Sequence, residues 1–151
     1  MSWFNFIGLI LVVIILIPNI IFAYTNKDGF QNYYDNKLVE VLEQIGRFGS
    51  FLFMFFTPPF LNLGFKINNA KTIYIITGAI LVVLYCLGWI VFRKESSIRK
   101  SLVLSILPSI LFIESGILSL NFPLIVLSLI FAPCHIIISY KNAAMQGEKY
   151  E

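Results

Sequence analysis

Between Phe4 and Tyr24 the chain runs for 21 residues without a charged side chain, and between Thr72 and Phe92 it does so again. A helix rises about 1.5 Å per residue, so about 20 apolar residues cross a hydrocarbon core of roughly 30 Å. Runs of this length leave few folds open, because in lipid each backbone donor and acceptor must be satisfied within its own segment. The reading is therefore all-α and polytopic. Charged residues make up 13% of the chain, against about 25% in a soluble domain, and the mean hydropathy is +0.85. The expected fold is one membrane domain over residues 1–151, a bundle of five transmembrane helices plus one interfacial amphipathic helix.

The spans are expected at about 4–24, 45–65, 72–92, 101–120 and 124–140, with the amphipathic helix at about 35–44 either lying along the interface or running straight into the second span, and a short frayed tail over 141–151. Ser101 to Tyr140 reads as a hairpin whose turn, Asn121-Phe122-Pro123, is uncharged while both its outer ends are basic. Lys and Arg accumulate on the cytoplasmic side of membrane proteins. Five crossings put nine of them on that side (Lys27, Lys37, Arg47, Arg93, Lys94, Arg99, Lys100, Lys141, Lys149) and two outside, Lys66 and Lys71. If the second segment were re-entrant, the division would be six against five. The bias predicts a multi-pass protein of the cell (inner) membrane, N-terminus outside and C-terminus cytoplasmic. The first segment has neither a cationic start nor a small-residue cleavage site, so it reads as a retained anchor.

Prolines punctuate four of the five spans: Pro18, Pro58 with Pro59, Pro108 and Pro133. Each removes a backbone donor and crowds the preceding turn; plain kinks or transporter-type discontinuities both fit. Asn19 follows Pro18 and is placed to satisfy a carbonyl freed there. Thr57-Pro58-Pro59 should stop the second helix, leaving Phe60 to Phe65 to finish the crossing in an unwound form that needs protein or a polar cavity beside it. Thr25 to Gly29 reads as a turn, and Asp35 or Asn36 as a helix cap. Leu38, Val41, Leu42, Ile45 and Phe48 then recur at helical spacing, with Lys37, Glu40 and Glu43 off that face. Gly46, Gly49 and Ser50 allow close helix approach, and Arg47 can snorkel to the interface.

Glu114 is the one acid set in an apolar run of a predicted span, and His135 is the only histidine. Counting rise per residue puts Glu114 about 9 Å below the outer turn, in the same layer as Thr57, Asn62 and Ser115. These four residues form the expected ligand-binding pocket of the outer half. His135 lies about 18 Å below that turn, with Asn19, Tyr85 and Cys86, an inner polar layer. Glu114 and His135 are thus about two helical turns apart, which disfavours a catalytic dyad. A carboxyl group in a bilayer faces the bundle interior, a partner or a cavity. Glu114 is read either as a titratable site or as glue, donating to carbonyls freed at Pro58-Pro59. Cys86 and Cys134 have no CxxC or metal-type spacing and read as small hydrophobes. No phosphate loop, HExxH, GxSxG or EF-hand pattern is present, and neither a cofactor nor a metal is expected.

The strings Val41-Leu42-Glu43-Gln44-Ile45-Gly46-Arg47-Phe48-Gly49, Leu107-Pro108-Ser109, Ser115-Gly116, Phe131-Ala132-Pro133 with His135, and Ser139-Tyr140-Lys141-Asn142-Ala143 resemble an uncharacterised family of small multispanning bacterial inner-membrane proteins. The resemblance covers nearly the whole chain and implies a fold and a compartment but no chemistry. The leading functional expectation is non-enzymatic: a small transporter or accessory subunit binding a proton or small ligand in the outer-half pocket. A structural or regulatory membrane subunit is the alternative, and an intramembrane enzyme the third. The expected partners are the lipid bilayer and a homodimer mate or another membrane subunit, with no nucleic acid.

Overall fold

Short polar side chains start most of the helices by replacing backbone bonds that the first turn cannot make. Asn5 Oδ1 accepts from Gly8 N at 3.1 Å, Asn36 Oδ1 from Val39 N at 3.2 Å, Ser97 Oγ from Lys100 N at 3.2 Å and Asn121 Oδ1 from Leu124 N at 3.3 Å. The computed structural model describes residues 3–25 and 33–148. Within them these caps open α1 (Phe6–Thr25), α2 (Lys37–Phe55), α4 (Ile98–Ser119) and α5 (Phe122–Glu148), while α3 (Ala70–Val91) follows Asn69 in the left-handed conformation, φ 62°. The expected turn at Thr25 to Gly29 lies, beyond Thr25, outside the described residues. Four helices, α1, α3, α4 and α5, are long and apolar enough to cross a membrane.

Residues 37–55 form one continuous helix, so the segment expected at 35–44 runs straight into the second helix, which stops at Phe55, short of the expected bound at 65. The prolines explain the shift. Phe56 is already extended, and Pro58 and Pro59 have no N–H to offer, so the helix takes its length from the polar residues before Ile45 instead. Its 19 residues span about 28 Å. Pro18, Pro108 and Pro133 are carried inside α1, α4 and α5.

Residues 56–69 close one end of the bundle. Asn5 N donates to Phe55 O at 2.7 Å and Thr57 N to Trp3 O at 3.0 Å, which ties the segment to the start of α1. Leu63 N donates to Leu120 O at 3.2 Å and Phe122 N to Leu61 O at 3.1 Å, which ties it to the α4–α5 turn. Asn121 Nδ2 adds a bond to Phe53 O at 2.8 Å. The start of α1, the end of α2, the start of α3 and the α4–α5 turn therefore share one end, and consecutive helices run antiparallel.

Around the bundle the order of neighbours is α1, α3, α4, α5, α2 and back to α1. The core comes from all five helices, with Leu11 and Ile15, Met54, Tyr74 and Tyr85, Leu111 and Phe112, and Leu124 and Phe131 buried together. The tail expected to fray from Lys141 is helical to Glu148. Asn142 explains part of that order, because its Oδ1 accepts from Tyr33 N at 3.0 Å and Tyr34 N at 2.9 Å and holds the approach to α2.

Candidate functional site

Small residues decide which face of α2 turns inward. Gly46, Ser50 and Met54 are buried at helical spacing. A Cβ on Gly46 would sit 2.8 Å from the Cα and N of Phe131, so α2 and α5 touch backbone to backbone there. Glu43 precedes Gly46 by three residues and lies on the same face; it is 2% exposed. The apolar stripe of α2 points the other way, with Leu38, Val41, Ile45, Phe48 and Leu52 between 45% and 69% exposed. A helix with its apolar side outward and its carboxylate inward has the polarity that a lipid surround selects.

The Glu43 carboxylate is held from two helices. Its Oε1 accepts from Arg47 Nε at 2.9 Å, and the Arg47 terminal nitrogen pairs with it as well. His135 Nδ1, on α5, lies 2.8 Å from the same oxygen. A carboxylate only accepts, so the Nδ1 proton belongs to the ring and the imidazole donates. Phe131 lies flat against that imidazole, centroids 4.6 Å apart and planes 21° apart, and so fixes its orientation. Phe131 packs in turn on Phe112, and Phe112 edge-on to Phe51, which connects the pair to the core. Two donors, the Arg47 guanidinium and the His135 imidazole, converge on one buried oxygen, the arrangement in which a buried charge is tolerated. The cluster is not sealed: the His135 side chain is 21% exposed and that of Arg47 35%. Ser50 Oγ, on the same face of α2, is buried without a hydrogen-bond partner.

The residues of the expected outer pocket have different partners. Thr57 and Asn62 are buried in the end segment, where Asn62 Oδ1 accepts from Gly64 N at 2.7 Å and Asn62 bridges to Asn121. Glu114 does not reach the Pro58-Pro59 break for its hydrogen bond; it is partnered by Thr77 Oγ1 on α3, a hydroxyl also 2.6 Å from Ile73 O. A cavity of about 300 Å³ beside it is lined only by the outward face of α4, Ile110, Ile113, Ile117 and Leu118 with Glu114. Ser115 turns from that face into the core, its Oγ buried next to Tyr74, whose hydroxyl accepts from Asn5 Nδ2 at 3.2 Å.

In the inner layer, Asn19 Nδ2 donates to Ile15 O at 2.9 Å, in the turn that Pro18 interrupts, and its Oδ1 accepts from the Tyr85 hydroxyl at 3.0 Å. His135 meets Glu43 and not Glu114. Sequence reasoning passed over Glu43, Arg47, Thr77 and Tyr74. The signal for Glu43 was present: if Gly46 and Ser50 mark the packed face, a residue three before the first and seven before the second shares it. Cys86 and Cys134 are unpaired, and no group of three metal-binding side chains occurs among the described residues.

Fold and site together define a multi-pass helical membrane protein with a buried carboxylate contacted from two helices. No protein-family model, no curated protein and no solved structure matches the chain.

Proposed function

We propose that the chain is a non-enzymatic integral membrane protein of five crossings, a small transporter or accessory subunit, whose proton-binding centre is Glu43 with His135. The outer-half pocket around Glu114 is set aside. The observation that carries the reading is a carboxylate 2% exposed whose Oε1 meets the one imidazole in the chain, a ring itself 21% exposed. Ionisable groups placed in this way in a membrane domain mark proton or ion paths by default, and imidazole is the side chain suited to passing a proton. A fifth crossing by α2 is supported by its outward apolar stripe and by the nine-against-two division of Lys and Arg; that division also supports the cell membrane, with the N-terminus outside and the C-terminus cytoplasmic. The family resemblance, a homodimer and a partner membrane subunit stand with this reading as proposals.

The test uses the fact that the chain has a single histidine. With ¹⁵N-labelled imidazole in nanodiscs, the ring should show a hydrogen-bonded Nδ1–H, and its pH titration should move in Glu43→Gln. Identical titrations in both proteins would end the proton-handling reading. A second reading, a structural clamp of α2 on α5, is favoured by the backbone contact at Gly46. It predicts that Glu43→Gln lowers stability while the wild-type ring does not titrate between about pH 5 and 8.

A further inference from the structure

A second charged feature lies at the opposite end of the bundle from residues 56–69, where α1 and α3 end and α4 begins. A cavity of about 580 Å³ opens there, and two cations, Arg93 and Lys100, line it. Neither has a carboxylate partner among the described residues. The nearest acid, Glu95, turns its carboxylate to Ser97 Oγ at 3.3 Å and offers Lys100 only its backbone carbonyl, 3.0 Å from Nζ. Lys100 is also held in place by two rings, its Nζ 5.3 Å from the centroid of Phe22 and 5.6 Å from that of Trp89. The first turn of α4 carries the partial positive charge of a helix start and the ends of α1 and α3 the opposite sign, so the two cations rather than the helix dipoles set the sign of the site. Thr25 also lines the cavity, its hydroxyl turned to the Ile21 and Phe22 carbonyls, and the remaining walls, Pro18, Ile21 and Ile90, are hydrocarbon, Ile21 and Ile90 being 56% and 68% exposed.

We propose that this cavity binds one anionic phospholipid, its phosphate between Arg93 and Lys100 and an acyl chain along Ile21 and Ile90. Two cations without a carboxylate partner among the described residues recognise a phosphate, with Arg able to fork onto two of its oxygens. The apolar exposed walls commit the ligand to a lipid rather than to a soluble phosphate, which would gain nothing from them. Trp89 sits where aromatic side chains collect at headgroup level, and basic pockets between helices on the cytoplasmic side are suited to acidic headgroups.

Two tryptophans are present, and Trp3→Phe leaves Trp89 as the only one, read selectively by excitation beyond the tyrosine band. The purified full chain in this background is titrated in nanodiscs with phosphatidylglycerol, with phosphatidylcholine, and separately with inorganic phosphate. Phosphatidylglycerol alone should shift Trp89 emission and raise the melting temperature in a saturable way. Arg93 is exposed, so Arg93→Gln keeps the fold, and Arg93→Gln with Lys100→Gln should weaken the response at least tenfold. Lys94→Gln with Arg99→Gln removes two exposed cations from the same end that do not line the cavity, and should leave the response intact. Saturation by inorganic phosphate would make the ligand a soluble anion and overturn the proposal. So would an equal loss in the Lys94/Arg99 pair, which would reveal attraction to the charged surface alone. Should the double variant not fold, Arg93→Gln by itself must still weaken the response, and an unchanged affinity there overturns the proposal.

Discussion

Two carboxylates, Glu43 and Glu114, lie on helices of this bundle under opposite constraints. Glu43 is enclosed and paired with Arg47 and His135, while Glu114 lies on the flank of α4 with Thr77 as its partner. Removing one partner from a buried pair leaves an uncompensated charge, at a cost of about 3–5 kcal/mol. Glu43→Ala strands Arg47 and His135, both partly exposed, so the lower end of that range applies: a loss of about 3 kcal/mol by reversible unfolding in detergent. Glu114→Gln keeps an acceptor for Thr77 and should cost under about 1 kcal/mol in the same assay. Equal losses in the two variants would overturn this ranking of the acids.

At the level of the element, α2 is distinguished by which side it hides. Gly46 is the point of closest approach to α5, and the added methyl of Gly46→Ala would meet Phe131 backbone that cannot rotate away. In an exposed helix the same change stabilises by roughly 0.5–1 kcal/mol; here overpacking of about 1–3 kcal/mol should win. Gly147, near the end of α5, supplies the comparison: a Cβ added there would meet nothing within 4 Å, and Gly147→Ala should raise the melting temperature slightly. The outer side is tested by Phe48→Lys. Phe48 is 63% exposed near the middle of α2, a substitution that water tolerates and that hydrocarbon penalises by about 2.5–3.5 kcal/mol. Loss of the variant from the membrane fraction is the expected result, and unaltered yield and stability would put α2 in water.

For the whole molecule the question is which end faces which compartment. Residues 56–69 bind the start of α1 to the α4–α5 turn, so Asn68 and Ser96 lie at opposite ends of the bundle, and both are exposed. In a background with Cys86→Ala and Cys134→Ala, a membrane-impermeant maleimide added to intact cells should label Asn68→Cys. Ser96→Cys should react only after the membrane is opened. The reverse pattern would invert the orientation proposed above, and labelling of both in intact cells would remove the chain from a sealed bilayer.

The residues that cap and stop helices act on the next three or four positions, and so Asn36, the double proline and the uncharged turn at Asn121 could be read along the chain, as could the apolar runs and the bond of Asn19 to the turn that Pro18 interrupts. Local chemistry is enough for these. Which face of a helix is inside was a different matter. In water the apolar side of a helix is its buried side, so periodicity reveals orientation; in lipid the surroundings are as apolar as the core, and that contrast disappears. Leu38, Val41 and Ile45 therefore announced a face of α2 without saying that it looked outward. The inward turn of Glu43 was set by backbone contact between Gly46 and Phe131 and by an imidazole 92 residues further along the chain, partners that come together only when α2 and α5 pack.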